Sequence, residues 1–96
     1  FNRLTYLSIC NNKLSSLKFL AHSNSLIEFY ASRNNLKNLR ESFHLKCLLC
    51  LLILDLSSNP ISSDTKYRLF LIYHLKSIKS LDGFLIEQSE QAEAKE

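Results

Sequence analysis

The sequence is poor in the two residues that usually bend a chain: one glycine and one proline occur among its 96 residues. Its turns must come from side chains that hydrogen-bond their own backbone, which is what asparagine and serine do. These collect at Asn11-Asn12, Asn34-Asn35 and Ser57-Ser58-Asn59. A single glycine also rules out a glycine-rich loop that would cradle phosphate. Long apolar runs are missing too. The longest, Cys47 to Leu54, has eight residues, against the ~18 that a membrane-spanning helix needs. No secretory leader is visible. The three cysteines, at positions 10, 47 and 50, are an odd count and are not arranged as paired end caps. A reducing, intracellular and cytoplasmic setting is the expectation. Residues 1–86 hold eleven Lys/Arg against five Asp/Glu, a balance of +6, whereas residues 87–96 hold Lys95 against four glutamates, a balance of −3. The basic residues form no cluster, so they read as solvated surface and nucleic acid is not an expected partner.

What the chain does have is a repeated text. Leu51 to Ile61 fits L-x-x-L-x-L-x-x-N-x-L at every defined position: Leu51, Leu54, Leu56, Asn59 and Ile61. The same text stands upstream as Leu4, Leu7, Ile9, Asn12, Leu14 and as Leu26, Phe29, Ala31, Asn34, Leu36. In an extended segment side chains alternate, so positions four and six point inward while three and five point out of the other face. The asparagine turns the chain out of the strand, and its amide can satisfy backbone groups of adjacent coils. One coil cannot bury its own apolar edge, so coils stack. The connecting segments should return as 3₁₀ or α-helical turns on the convex side. Arg40–Cys50 reads as a short helix, and Thr65–His74 as a full α-helix after the N-cap cluster Ser62-Ser63-Asp64. Leu75 opens a fourth coil that stops after Ile78, as a terminal cap should. Phe84, Leu85 and Ile86 are expected to tuck back onto it.

The stretch Asn59-Pro60, Tyr67-Arg68-Leu69, Ile72, Leu75, Ile78 and Leu81-Asp82-Gly83 resembles the C-terminal cap of intracellular leucine-rich repeat proteins, a group with ribonucleoprotein and axonemal members. Lys76 stands where that cap often has proline. The resemblance implies an α/β leucine-rich repeat solenoid with a concave parallel sheet, convex 3₁₀ and α returns and a helical C-terminal cap. It implies protein–protein interaction in a larger scaffold or adaptor, with a possible setting in cilia, and no catalysis. A ribonucleoprotein-associated subunit and a purely structural end block are the alternatives. The repeat domain is placed at residues 1–86, with coils starting near 4, 26 and 51 and the cap from about 62. Residues 87–96 read as an acidic tail or the start of a linker.

Stacking in register predicts the binding face. Position three gives Tyr6, Glu28, Ile53 and Ser77, and position five gives Ser8, Tyr30, Asp55 and Lys79. Positions seven and eight add Cys10, Asn11, Ser32, Arg33, Ser57 and Ser58. Tyrosine and arginine bury area and still hydrogen-bond, which suits them to protein recognition. The carboxylates of Glu28 and Asp55 would repel phosphate. Cys47-Leu-Leu-Cys50 sits inside an apolar run and reads as a pair of buried structural thiols rather than as zinc ligands or a redox pair. His22, His44 and His74 are scattered over return segments. No catalytic residue, metal ligand or cofactor is expected. Phe1, Leu4 and Leu7 open the stack without a cap, so preceding repeats are expected on that side.

Overall fold

The structure, a computed structural model, describes residues 3–94. Phe1, placed above on the open edge, and Lys95 and Glu96 of the acidic tail lie outside the described residues. Five short strands make one sheet in chain order: β1 (Tyr6–Ser8), β2 (Glu28–Tyr30), β3 (Ile53–Asp55), β4 (Ser80–Leu81) and β5 (Phe84–Leu85). The first four pair in parallel, and β5 turns back antiparallel to β4. The predicted register of the three full coils holds. Tyr6, Glu28 and Ile53 stand opposite one another, as do Leu7, Phe29 and Leu54, and Ser8, Tyr30 and Asp55. Phe29 and Leu54 are fully buried, and the small Ala31 beside Phe29 is also sealed. Side chains of this size each contribute ~1.5–3 kcal/mol on burial.

The returns are tight. Lys18–Leu20, Leu39–Leu45 and Pro60–Ser63 are 3₁₀ turns, and the helix α1 spans Tyr67–His74. The side chain of Asn38 starts the second of these by accepting the Arg40 N–H at 2.9 Å. The Ser62-Ser63-Asp64 cluster forms the end of a 3₁₀ turn. Asp64 then accepts the Lys66 N–H at 2.8 Å, one step before α1.

Asparagines hold the coils together. Asn59 Nδ2 donates to Leu56 O of its own coil at 2.9 Å and to Ala31 O of the preceding coil at 3.0 Å, while its Oδ1 accepts the Leu36 N–H at 3.1 Å. Asn34 repeats the pattern on Ala31 O, Ile9 O and the Leu14 N–H, all at 3.0 Å. Each amide thus satisfies backbone groups that stacking would otherwise bury unpaired. The residue just before each asparagine has a positive φ: Asn11, Arg33 and Ser58, at 61°, 58° and 57°. The turn is therefore left-handed in every coil without a glycine.

The fourth coil corrects the sequence-based register. Ser80, not Ser77, pairs with Ile53, and Leu81 pairs with Leu54. The coil therefore opens at Ile78 rather than Leu75, so Lys79 stands one residue before Ser80 and not in the row of Tyr30 and Asp55 to which the sequence assigned it. The cause is a period of three: Leu75, Ile78 and Leu81 are all buried, so a shift by three leaves the apolar pattern unchanged. Leu75 instead closes α1, its N–H bonded to Leu71 O at 2.8 Å. Asp82 and Gly83, with φ of 55° and 85°, make the two-residue turn that folds β5 onto β4. Phe84 and Leu85 do not tuck in; they are 70% and 76% exposed because β5 lies at the sheet edge. Ile86 does pack against the core.

That turn carries the backbone away from the sheet, and a side chain takes over the ladder. Ile9 N–H bonds Tyr30 O and Ala31 N–H bonds Asp55 O, each at 2.8 Å. The corresponding Leu56 N–H is received by Asp82 Oδ1 at 2.8 Å. Asp82 Oδ2 accepts the hydroxyl of buried Tyr67 at 2.8 Å. Arg68 then fastens the cap to the tail helix α2 (Gln88–Ala94). Its Nε and Nη2 meet Glu90 at 2.6 and 3.1 Å, and Nη1 and Nη2 donate to Leu81 O and Leu85 O.

Candidate functional site

The sheet presents two rows of outward side chains, and the structure brings six of the predicted residues together on them. Tyr6, Glu28 and Ile53 form one row, and Ser8, Tyr30 and Asp55 the other, by direct strand pairing. Tyr6 is 55% exposed, Ser8 is exposed, and Glu28, Tyr30, Ile53 and Asp55 are half-buried. The rings of Tyr6 and Tyr30 lie 5.4 Å apart between centroids, tilted by 45°. The Tyr30 hydroxyl donates to Glu28 Oε1 at 2.6 Å. That bond, with some burial, pushes the Tyr30 pKa up to about 12, so the hydroxyl remains a donor across the physiological range. Asp55 Oδ1 accepts both the hydroxyl and the N–H of Ser57, at 2.6 and 3.0 Å.

These internal bonds fix the rotamers of Tyr30, Glu28 and Asp55, and a prefixed side chain loses less freedom when a partner arrives. Arg33 stands exposed three residues beyond the second strand, with a left-handed backbone. Cys10, half-buried beside it in the stacked order, has its thiol pKa lowered by hydrogen bonding from Ser32, with burial opposing. Its sulfur lies 3.7 Å from Ser8 Oγ. Lys79 is exposed but out of register, and Asp82 follows Leu81 where a fourth member of the Tyr30 row would stand. Asp82 spends both oxygens on Leu56 and Tyr67, so the acidic row ends at Asp55.

Two further placements differ from the sequence-based expectation. Cys47 and Cys50 are exposed free thiols, not buried ones, because Leu48 and Leu51 take the inward positions of that turn. Arg68 went unrecognised as a clamp, since neither of its carbonyl partners nor Glu90 stands at helical spacing from it. No group of three or more His, Cys, Asp or Glu among the described residues could hold a metal ion. No helix among them is long and apolar enough to cross a membrane.

No protein-family model matches the chain. Over 96 residues it is 38% identical to mouse leucine-rich repeat-containing protein 36, covering 99% of this chain and 13% of that protein. It is 31% identical over 107 residues to human cilia- and flagella-associated protein 410, covering 97% and 42%. Among solved structures it superimposes on a chain of the Drosophila melanogaster SNF/U2A′ complex with a TM-score of 0.90 and 25% identity, covering 98% of this chain and 55% of that one. The chain thus spans well under two thirds of the relatives it matches.

Proposed function

The chain is a leucine-rich repeat solenoid, and we propose that it serves as a protein–protein interaction module of a larger scaffold or adaptor. Its partner would lie on the sheet face around Tyr30. The observation that supports this most is the prefixed Tyr6–Tyr30–Glu28 group, with Ile53 as an apolar neighbour and Asp55 and Arg33 at its margin. It joins aromatic area to oriented polar atoms, the combination found at the centre of protein interfaces. In this proposal residues 1–86 form the repeat unit, and residues 87–96 lead out of it with α2 held back by Arg68. Coils of the same template would precede β1, because Leu7, Ile9, Leu14 and Phe19 line an apolar hollow at that end. The unit carries out no catalytic step.

The finer form of the proposal places the chain beside leucine-rich repeat-containing protein 9 in a ciliary setting, which the likeness to a cilia- and flagella-associated protein supports. A second reading, a ribonucleoprotein-associated subunit, is favoured by the likeness to the SNF/U2A′ complex chain.

A photo-crosslinking residue at Tyr30, compared with one at the convex His22, tests the surface. Labelling of a discrete protein from native extract only at position 30, lost in an Arg33→Ala background, is the expected result. Equal labelling from both positions would overturn the assignment. RNA labelling at position 30 that weakens with salt would favour the second reading.

A further inference from the structure

The convex side carries a second surface that is independent of the sheet face. Four rings from two successive returns meet there. Phe43 lies 5.7 Å from Phe70 and 4.9 Å from His74, Phe70 lies 4.5 Å from His74, and Tyr73 lies 4.8 Å from His74, all between centroids. Core packing takes up part of Phe70 but leaves Phe43 and Tyr73 39% and 43% exposed. The Lys46 ammonium stands 5.0 Å from the Phe43 centroid and that of Lys76 stands 4.4 Å from the Tyr73 centroid. A shallow groove continues from Phe70 and Tyr73 along α1 towards α2, lined also by Leu69, Lys66 and Glu93.

Charge on this surface is mainly positive, with Lys46, Lys66 and Lys76 against Glu93. Glu93 is the one carboxylate lining the groove among the described residues. Glu41 shares a turn with Phe43 but faces the neighbouring coil, where its Oε1 accepts the Leu17 N–H at 2.9 Å and lies 3.7 Å from His44 Nε2. The field registers on His74, whose pKa is lowered first by burial and then by Lys46 and Lys76. The surface therefore offers apolar ring area flanked by ammonium groups. A lysine stands over one face of each exposed ring, Phe43 and Tyr73, and Phe43 is also stacked on Phe70, which leaves less ring face for a base. That disfavours a nucleic-acid platform, which needs free ring faces. A carboxylate, by contrast, pairs with a lysine that remains over its ring.

We propose that Phe43, Phe70, Tyr73 and His74, with Lys46 and Lys76, form a docking surface for an acidic peptide segment of a partner protein that also carries apolar side chains. Its carboxylates would pair with Lys46 and Lys76, and its apolar side chains would cover the exposed parts of Phe43 and Tyr73. The module then has two faces for protein, one on each side of the solenoid.

The test is a fluorescence-anisotropy titration of the whole chain against a labelled synthetic peptide of mixed glutamate and leucine. The same peptide with lysine for glutamate, a single-stranded oligouridine and phosphatidylserine vesicles serve as comparators. Saturable binding of the acidic peptide is expected. It should fall about tenfold or more in Lys46→Glu/Lys76→Glu and stay unchanged in Lys13→Glu/Lys37→Glu and in Tyr30→Ala. All of these positions except Tyr30 are exposed, and circular dichroism confirms the fold of each variant. Failure of the acidic peptide to bind, or undiminished binding by Lys46→Glu/Lys76→Glu, would overturn the proposal. So would tighter binding of oligouridine or vesicles through the same lysines. Loss on Tyr30→Ala would move the peptide to the sheet face and overturn it as well.

Discussion

Replacing Asn59 by alanine should be among the most damaging single changes the chain can suffer. Asn59 is 3% exposed and its amide makes four hydrogen bonds, to Leu36 N–H and to Ala31, Leu56 and Ser57 carbonyls. Two of these partners keep a second bond: Ala31 O still accepts from Asn34 Nδ2 and Ser57 O from the Arg33 N–H. Leu36 N–H and Leu56 O are left without one. An orphaned buried backbone group costs ~1–3 kcal/mol, so Asn59→Ala should cost about 3–4 kcal/mol. A domain of this length is stable by roughly 5–14 kcal/mol, so the loss is a large share. Asn34→Ala orphans the part-buried Leu14 N–H and should cost about 2 kcal/mol. Asn12→Ala breaks bonds to Ile9 O and Cys10 O at an exposed site, where water can replace them, and should cost under ~1 kcal/mol. Urea titrations of the three variants give the order directly, from midpoints at an unchanged slope. An Asn12 variant that loses as much as the Asn59 variant would refute the argument that the amides matter by satisfying buried groups of adjacent coils.

Arg68→Ala should release α2 without unfolding the sheet: amide protection across residues 88–94 falls in hydrogen exchange while that of β2 and β3 is kept. Asp82 and Glu90 should leave opposite marks on stability against pH. Burial raises the Asp82 pKa above 3.8, so its contribution is complete below that value and is lost as pH rises through the raised folded value. The stability of Asp82→Asn relative to the parent should therefore grow as pH rises through that window. Hydrogen bonding to Arg68 lowers the Glu90 pKa below 4.5, so its contribution is present above 4.5 and is lost as pH falls through the lowered folded value. Glu90→Gln should lose ground to the parent as pH rises through that range; denaturant midpoints across an acid series check both signs. Gly83→Ala meets nothing within 4 Å but places a side chain at φ +85°, so it should cost about 1 kcal/mol through backbone strain alone, read from its thermal midpoint.

The parts of the fold legible in the sequence were those the template fixes by more than one residue. Leucine at position one and a large apolar residue at four, together with asparagine at nine, pinned the register of the first three coils, and hence the pairing of Tyr6 with Glu28 and of Tyr30 with Asp55. Where the asparagine was absent, the register was lost. Leu75, Ile78 and Leu81 repeat every third residue, and only the length of α1 decides which of them opens the strand. Lys79 was misplaced for that reason. Asp82-Gly83 carries a strong hairpin signal, but it stands after a two-residue strand too short to show alternation. The exposure of Cys47 and Cys50 was hidden by a run of apolar letters in which Leu48, Leu51 and Leu54 face inward. The Arg68 clamp depends on three partners distant in sequence, which no local pattern encodes.

The whole account depends on the stacking of side chains one coil apart. Nuclear Overhauser contacts in solution report this directly. Cross-strand contacts linking Leu7 to Phe29, Phe29 to Leu54 and Leu54 to Leu81, with ring-to-ring contacts between Tyr6 and Tyr30, are the predicted set. A ladder in which Leu54 instead meets Ile78, or in which the two tyrosine rings show no contact, would contradict it.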